Sequence, residues 1–152
     1  MNIHIVQGIA GCHLARELNA TAVIVDALRA SCTASMLFQA GACDITLVSD
    51  VPSALAFKQA HPDCLLFGER HGLPPEGFDY GNSPRTVDAA RNRAVGFTTS
   101  NGTALMLEAW GAPEVLMASV TNLSAVTQRI NAQDRDIVLV PAGNVEDPDF
   151  SA

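Results

Sequence analysis

The sequence predicts an α/β domain, a three-layer αβα sandwich around a mostly parallel or mixed central sheet. Three observations predict it. Short apolar runs rich in Val and Ile recur along the 152 residues. Segments with apolar residues at helical spacing lie between them. Runs such as TAVIV and DIVLV are apolar throughout rather than alternating, which suits strands covered on both faces. Alternation of such strands with helices is the pattern of a largely parallel sheet.

The elements follow in order. Ile3 to Val6, Thr21 to Val25, Asp44 to Val48, Cys64 to Phe67, Ala94 to Thr98, Glu114 to Ala118 and Ile137 to Val140 read as strands. Ala30 to Ala40, Pro52 to Ala60, Gly102 to Trp110 and Leu123 to Asn131 read as helices. Asp50 before Val51-Pro52 suits an N-cap with proline in the first turn. Gly41 and Gly111 suit helix ends. The stretch from Gly68 to Pro84, GERHGLPPEGFDYGNSP, breaks the rhythm. A loop of that length inside a compact domain is usually functional or disordered, and its charged groups, with Leu73, Phe78 and Tyr80 as apolar anchors, favour the functional option. No repeat or linker divides the chain, so residues 1–152 read as one domain. The end is odd: after IVLV comes PAGNVEDPDFSA, where a parallel sheet would normally receive another helix.

Composition narrows the function. Apolar residues make up 48% and charged residues 16%, which excludes disorder and a disulfide-stapled miniprotein. Nine Lys and Arg against sixteen Asp and Glu give a net charge of −7. That balance argues against sequence-independent nucleic-acid binding and against docking on an anionic membrane. Cys12, Cys32, Cys43 and Cys64 form no C-x-x-C pair and sit among small or apolar neighbours, the setting of reduced, mostly buried thiols. The start carries no basic region followed by an apolar one, and no apolar run approaches the ~20 residues of a membrane span. The expectation is a soluble, cytoplasmic protein.

Three constellations could carry chemistry. Asp26 ends the run TAVIVD, and ligands of open α/β sheets sit beyond the carboxyl ends of strands. Arg29 follows, able to fork onto a phosphate or carboxylate, with Ser31 and Thr33 in the first turn of the next helix. On the residues alone, Asp26 suits a helix cap equally well. The second is FTTSNGT, where Thr99, Ser100, Asn101, Gly102 and Thr103 offer hydroxyls, an amide and a glycine at a strand-to-helix turn. Such a turn can cradle an oxyanion, though it lacks the lysine and spacing of a Walker A loop. It suits a plain helix cap too. The third is the long loop, with Glu69, Arg70, Glu76, Asp79 and Asn82, whose oxygens suit a hard cation such as Mg²⁺, though each alone also suits a solvated loop charge. Two other patterns fail. The Cys64 to Arg70 spacing encloses a buried strand rather than a glycine-rich cradle, and Asp26 lacks the second Asp two residues on that an aspartyl-nucleophile phosphatase needs. The four histidines show no metal-ligand spacing.

Read in order, DALRASCTAS, GERHGLPPEGFDYGNSP, TTSNGT and VPAG resemble the signature blocks of the 2-phosphosulfolactate phosphatase family. The resemblance spans about Asp26 to Gly143. It implies a Mg²⁺-dependent phosphatase releasing phosphate from a small anionic phospho-acid, 2-phosphosulfolactate, a step toward coenzyme M. Under it, Asp26, Glu69 and Asp79 would supply the Mg²⁺ site or its water shell, and Asp26, Arg29, Glu69 and Asp79 the catalytic groups. Arg29, Ser31, Arg70, Asn82, Ser83 and the Thr99 to Thr103 turn would hold the substrate. No covalent nucleophile stands out, so direct attack by water is expected, with an aspartyl-phosphate on Asp26 left open. Family members continue past the Ala142-Gly143 turn into an acidic pair and more helix and strand, so this chain would lack the C-terminal part of that fold. A homo-oligomer is left open. The rival reading is a non-catalytic binder of a small phosphorylated or sulfonated acid.

Overall fold

The computed structural model describes residues 1–143, so the tail NVEDPDFSA lies outside the described residues. Seven strands run through it: β1 (Ile3–Ile5), β2 (Thr21–Val25), β3 (Asp44–Leu47), β4 (Leu65–Gly68), β5 (Ala94–Thr98), β6 (Glu114–Ala118) and β7 (Ile137–Pro141). Five α-helices alternate with them: α1 (Gly8–Glu17), α2 (Ala30–Ala40), α3 (Val51–Ala60), α4 (Gly102–Glu108) and α5 (Leu123–Asn131). A 3-10 segment covers Pro84–Ala90. The α/β sandwich is present and every strand pair is parallel. The strands pair in two sheets, β1-β7-β2-β6 and β3-β5-β4.

The helix ends follow local chemistry. Asp50 accepts a hydrogen bond from the Ser53 amide at 2.7 Å, capping α3 as its sequence suggests. Gly41 ends α2 in the left-handed conformation, φ 99°. Two elements were not expected. Helix α1 buries Gly11, Cys12 and Ala15 against its sheet, a face of small residues rather than of Leu and Ile. The 3-10 segment starts at Pro84 behind Ser83, whose side chain accepts from the Arg85 amide.

Each sheet carries helices on both faces, though Ile3 and Ile5 of β1 stay exposed. In the four-stranded sheet, Ala22, Ile24, Val138 and Val140 pack against Cys12 and Ala15 of α1 and Leu105 and Ala109 of α4. On its other face Val23, Ile137, Leu139 and Ala118 meet Val126 and Ile130 of α5. Register extends that second face to β1, because Ile3 pairs with Ile137 and Ile5 with Leu139. In the three-stranded sheet, Phe67, Val95 and Phe97 pack under Leu37 of α2 and Val87 of the 3-10 segment, while Leu66 and Cys64 meet Ala54 of α3. Cys12 and Cys64 are buried and free, as expected; Cys32 is half-buried, and Cys43 is exposed. Among the described residues no helix is long and apolar enough to cross a membrane.

Candidate active site

Parallel strands carry their loops to one rim, and four chain segments meet there. Asp26 follows β2 directly and is buried, with 6% of its surface exposed. The Ser31 hydroxyl donates to its backbone carbonyl, so Ser31 braces the turn into α2. The Asp26 side chain lies against the start of α4. A β-carbon placed on Gly102 would fall 2.6 Å from Asp26 Oδ2 and 2.9 Å from Ala30 Cβ. Only glycine admits that approach of helix to carboxylate. The other oxygen, Asp26 Oδ1, is buried without a hydrogen-bond partner. Desolvation pushes the Asp26 carboxyl above its ordinary range, the Ala30 amide opposes that, and the Glu69 charge adds to it.

Glu69 follows β4 and ties two loops together. Its Oε1 accepts from the Ser100 amide at 2.8 Å and its Oε2 from the Gly72 amide at 2.9 Å. Burial raises its pKa, but the hydrogen bonds from Ser100 and Gly72 and the Arg70 charge outweigh burial and hold it below the ordinary glutamate value. A depressed carboxyl stabilises the fold above its unfolded pKa and loses that contribution as pH falls through its folded value. Glu69→Gln is therefore expected to lower stability by about 1–2 kcal/mol at neutral pH, since Gln keeps only one acceptor oxygen. Melting curves of both proteins from pH 7 to pH 3 check this: the gap should narrow below the ordinary glutamate pKa. A gap that stays constant to pH 3 would remove the ionised form from the account.

The remaining residues sort themselves by their partners. Arg70 donates from Nη1 to the Glu69 carbonyl at 2.7 Å and from Nη2 to Thr98 Oγ1 at 2.9 Å; it clamps the ends of β4 and β5. Arg29 is exposed at the rim, its Nη2 3.5 Å from a β-carbon placed on Gly72. Thr99 and Thr103 engage each other: Thr103 Oγ1 accepts from the Thr99 amide at 2.8 Å, and Thr99 Oγ1 accepts from the Thr103 amide at 3.2 Å. Both are buried, so these hydroxyls build the turn instead of lining an oxyanion cradle. Ser100 contributes its amide to Glu69. Asn101 donates from Nδ2 to the Gly143 carbonyl at 3.4 Å, and the Ala142 amide donates to the Val25 carbonyl. The Val-Pro-Ala-Gly turn thus joins the same rim.

Asp79 does not join it. The chain after Pro75 runs back beside β4, with the Tyr80 amide donating to the Leu66 carbonyl and the Gly68 amide to the Tyr80 carbonyl. Asp79 Oδ2 accepts from the Leu66 amide at 2.8 Å and from Lys58 Nζ at 3.1 Å. It is a fastener between loop, strand and α3. Among the described residues no three His, Cys, Asp or Glu side chains come together as a metal cage, so the expected Asp26, Glu69 and Asp79 triad is not formed. Asn82, two residues past Tyr80, stands by the carboxyl end of β4, buried, with Oδ1 unpartnered. Ser83 is spent on capping the 3-10 segment at 3.4 Å.

Beside the Ser100-Asn101 turn opens a cavity of about 600 Å³, walled by Gln7, Gly8, Ile9, Ala104 and Gly143. The Gln7 to Ile9 wall was not expected. Its signal was present in IHIVQGIAG, another strand-to-helix loop on the same rim, but the glycines obscured the helix.

A family model described as 2-phosphosulpholactate phosphatase matches residues 9–150. A protein named probable 2-phosphosulfolactate phosphatase from Deinococcus radiodurans is 41% identical over 126 residues, 80% of this chain and 52% of the relative. Proteins of the same name from Clostridium acetobutylicum and Thermoplasma acidophilum are 38% and 36% identical over 128 and 122 residues. Those matches cover 82% and 79% of this chain, and 54% of each relative. The chain spans about half the length of the curated relatives it matches.

Proposed function

The chain belongs to the 2-phosphosulfolactate phosphatase family, and from that membership and its rim we propose that it serves hydrolysis of the phosphate monoester of a small 2-phospho acid, 2-phosphosulfolactate to sulfolactate and phosphate, in the cytoplasm. The observation that carries the reading is Asp26: a buried carboxylate with one oxygen unpartnered, held where three other segments converge. An ionisable group kept in so unfavourable a setting is the mark of a functional site.

Mg²⁺ fits the donor set. The cation takes one or two carboxylates and completes its shell with waters and substrate phosphate, needing no all-protein cage. Asp26 Oδ1 and the outer lone pairs of Glu69 would hold it. Bound there, it would neutralise phosphoryl oxygens and acidify water.

The chain's own groups do the rest. Arg29 supplies the local positive charge that a polyanion needs on a protein of net charge −7. Glu69, Arg70 and the Thr99–Thr103 turn fix the rim so that the ester is held in line. Asp26 orients the attacking water. The water oxygen bonds to phosphorus, the ester P–O bond breaks, and the proton lost by water compensates the departing hydroxy-acid oxygen.

The test is phosphate release from a panel of 2-phospho acids with Mg²⁺ and with chelator. Release that requires Mg²⁺ and favours 2-phosphosulfolactate is expected. Saturable binding without release would replace this reading with a binding protein.

A further inference from the structure

β6 is the last strand of one sheet and β3 the last of the other. Between them opens an apolar groove of about 1000 Å³. Ile45 and Leu47 of β3 line it from one core, and Met106, Ala112 and Val115 line it from the other. Trp110 stands at its edge, 80% exposed. Helix α4 starts at Gly102 against Asp26 and ends beside this groove, which therefore lies away from the rim.

The indole is held out by a built turn. The Trp110 amide donates to the Leu107 carbonyl and the Ala112 amide to the Ala109 carbonyl, both at 3.1 Å. Gly111 between them adopts a φ of 100°, which only glycine takes without strain. An aromatic side chain fixed in place before it binds loses little freedom on binding, and tryptophan leads the residues that anchor protein interfaces.

Charge and shape together select the occupant. Two chains of net charge −7 repel each other, so they can meet only where the surface is locally neutral. Among the described residues lining the groove, Glu114 alone is charged, and it is neutralised by Arg129 Nε at 2.6 Å, with Gln133 Nε2 at 2.9 Å. A strongly charged partner finds nothing to read there. The face also carries a knob and a hole side by side, Trp110 and a groove with room for an indole. A surface that holds both halves of one contact is self-complementary, as a two-fold interface must be.

We propose that this face is the docking surface for a second copy of the chain, packed about a two-fold axis with each Trp110 seated in the other's groove. The rim of each copy stays open, so the proposal stands apart from the phosphatase reading.

Trp110 is the sole tryptophan, so its fluorescence reports this face alone. Sedimentation equilibrium of the chain should show monomer and dimer exchanging with concentration. The emission should shift to the blue, and acrylamide quenching should weaken, along the same curve. Raising NaCl from 0.05 to 0.5 M should strengthen the dimer by screening the repulsion. Trp110→Ala should weaken it at least about 30-fold. Thr46→Glu, which puts a new charge in the groove, should abolish both the dimer and the emission shift while the dilute melting point stays that of the parent. A monomer at every concentration, a dimer that survives Trp110→Ala, or a dimer that forms with the indole still open to quencher would overturn the proposal.

Discussion

Asp26→Asn is expected to abolish phosphate release and, in the same molecule, to raise the melting point. The two effects share one cause. Asp26 is buried, one oxygen has no partner, and desolvation holds its pKa above the ordinary value. A carboxyl whose folded pKa is raised destabilises the native state above that pKa, and the penalty fades as pH falls below its unfolded value. Asn keeps the shape beside Gly102 and removes the charge. At pH 7 the variant should gain about 1 kcal/mol, or about 2–4 °C for a domain of this size. That gain should disappear near pH 3, where Asp26 is protonated as well. On the proposed mechanism activity moves the other way, because removing a group that would orient water and metal costs about 10²–10⁴-fold or more in turnover. Scanning calorimetry at pH 7 and pH 3, beside a phosphate-release assay, reads both. Turnover near that of the parent would take Asp26 out of the mechanism.

Gly68→Ala should be the most damaging single methyl on the rim. The added carbon would fall 2.2 Å from the Thr98 carbonyl oxygen and 3.0 Å from Phe78. That oxygen belongs to a buried strand, and it accepts the Glu69 amide, so it cannot turn away as a side chain could. The end of β4 must lift from β5, at a cost of about 3 kcal/mol, and the melting point should drop by about 6–12 °C. Glu69 and Arg70 are the next two residues, so their bonds to Ser100 and Thr98 lengthen together. A displacement of about 1 Å in positioning groups is worth about 10²-fold in rate. Thermal melts and assays below the variant's midpoint test both effects. A midpoint within 2 °C of the parent would show that the strand yields at little cost.

Where a signal is local, the sequence carries it. β2, β5, β6, α2 and α5 have the bounds that their apolar runs and helical spacing indicate, and Asp50 caps α3 through a contact three residues away. Asp26, Glu69 and the Thr99–Thr103 turn reach one rim because parallel strands deliver their loops there. The rest depends on partners far along the chain. Asp79 reads as an anchored acid, but its anchors, Lys58 and the Leu66 amide, make it a structural tie. Thr99 and Thr103 read as free donors, though spacing of four lets each hydroxyl satisfy the other's amide. Helix α1 hides behind two glycines, and its small buried face gives little apolar periodicity. The division into two sheets rests on which strands pair, and local pattern does not encode that.

The rim draws Asp26 from one sheet and Glu69 from the other, joined through the short turn at Ser100 and Gly102. Each sheet has its own hydrophobic centre, so either can keep its shape while the seam between them loosens. The proposed phosphate release would therefore depend on that seam, and mild denaturant should stop it while both halves still look native to circular dichroism.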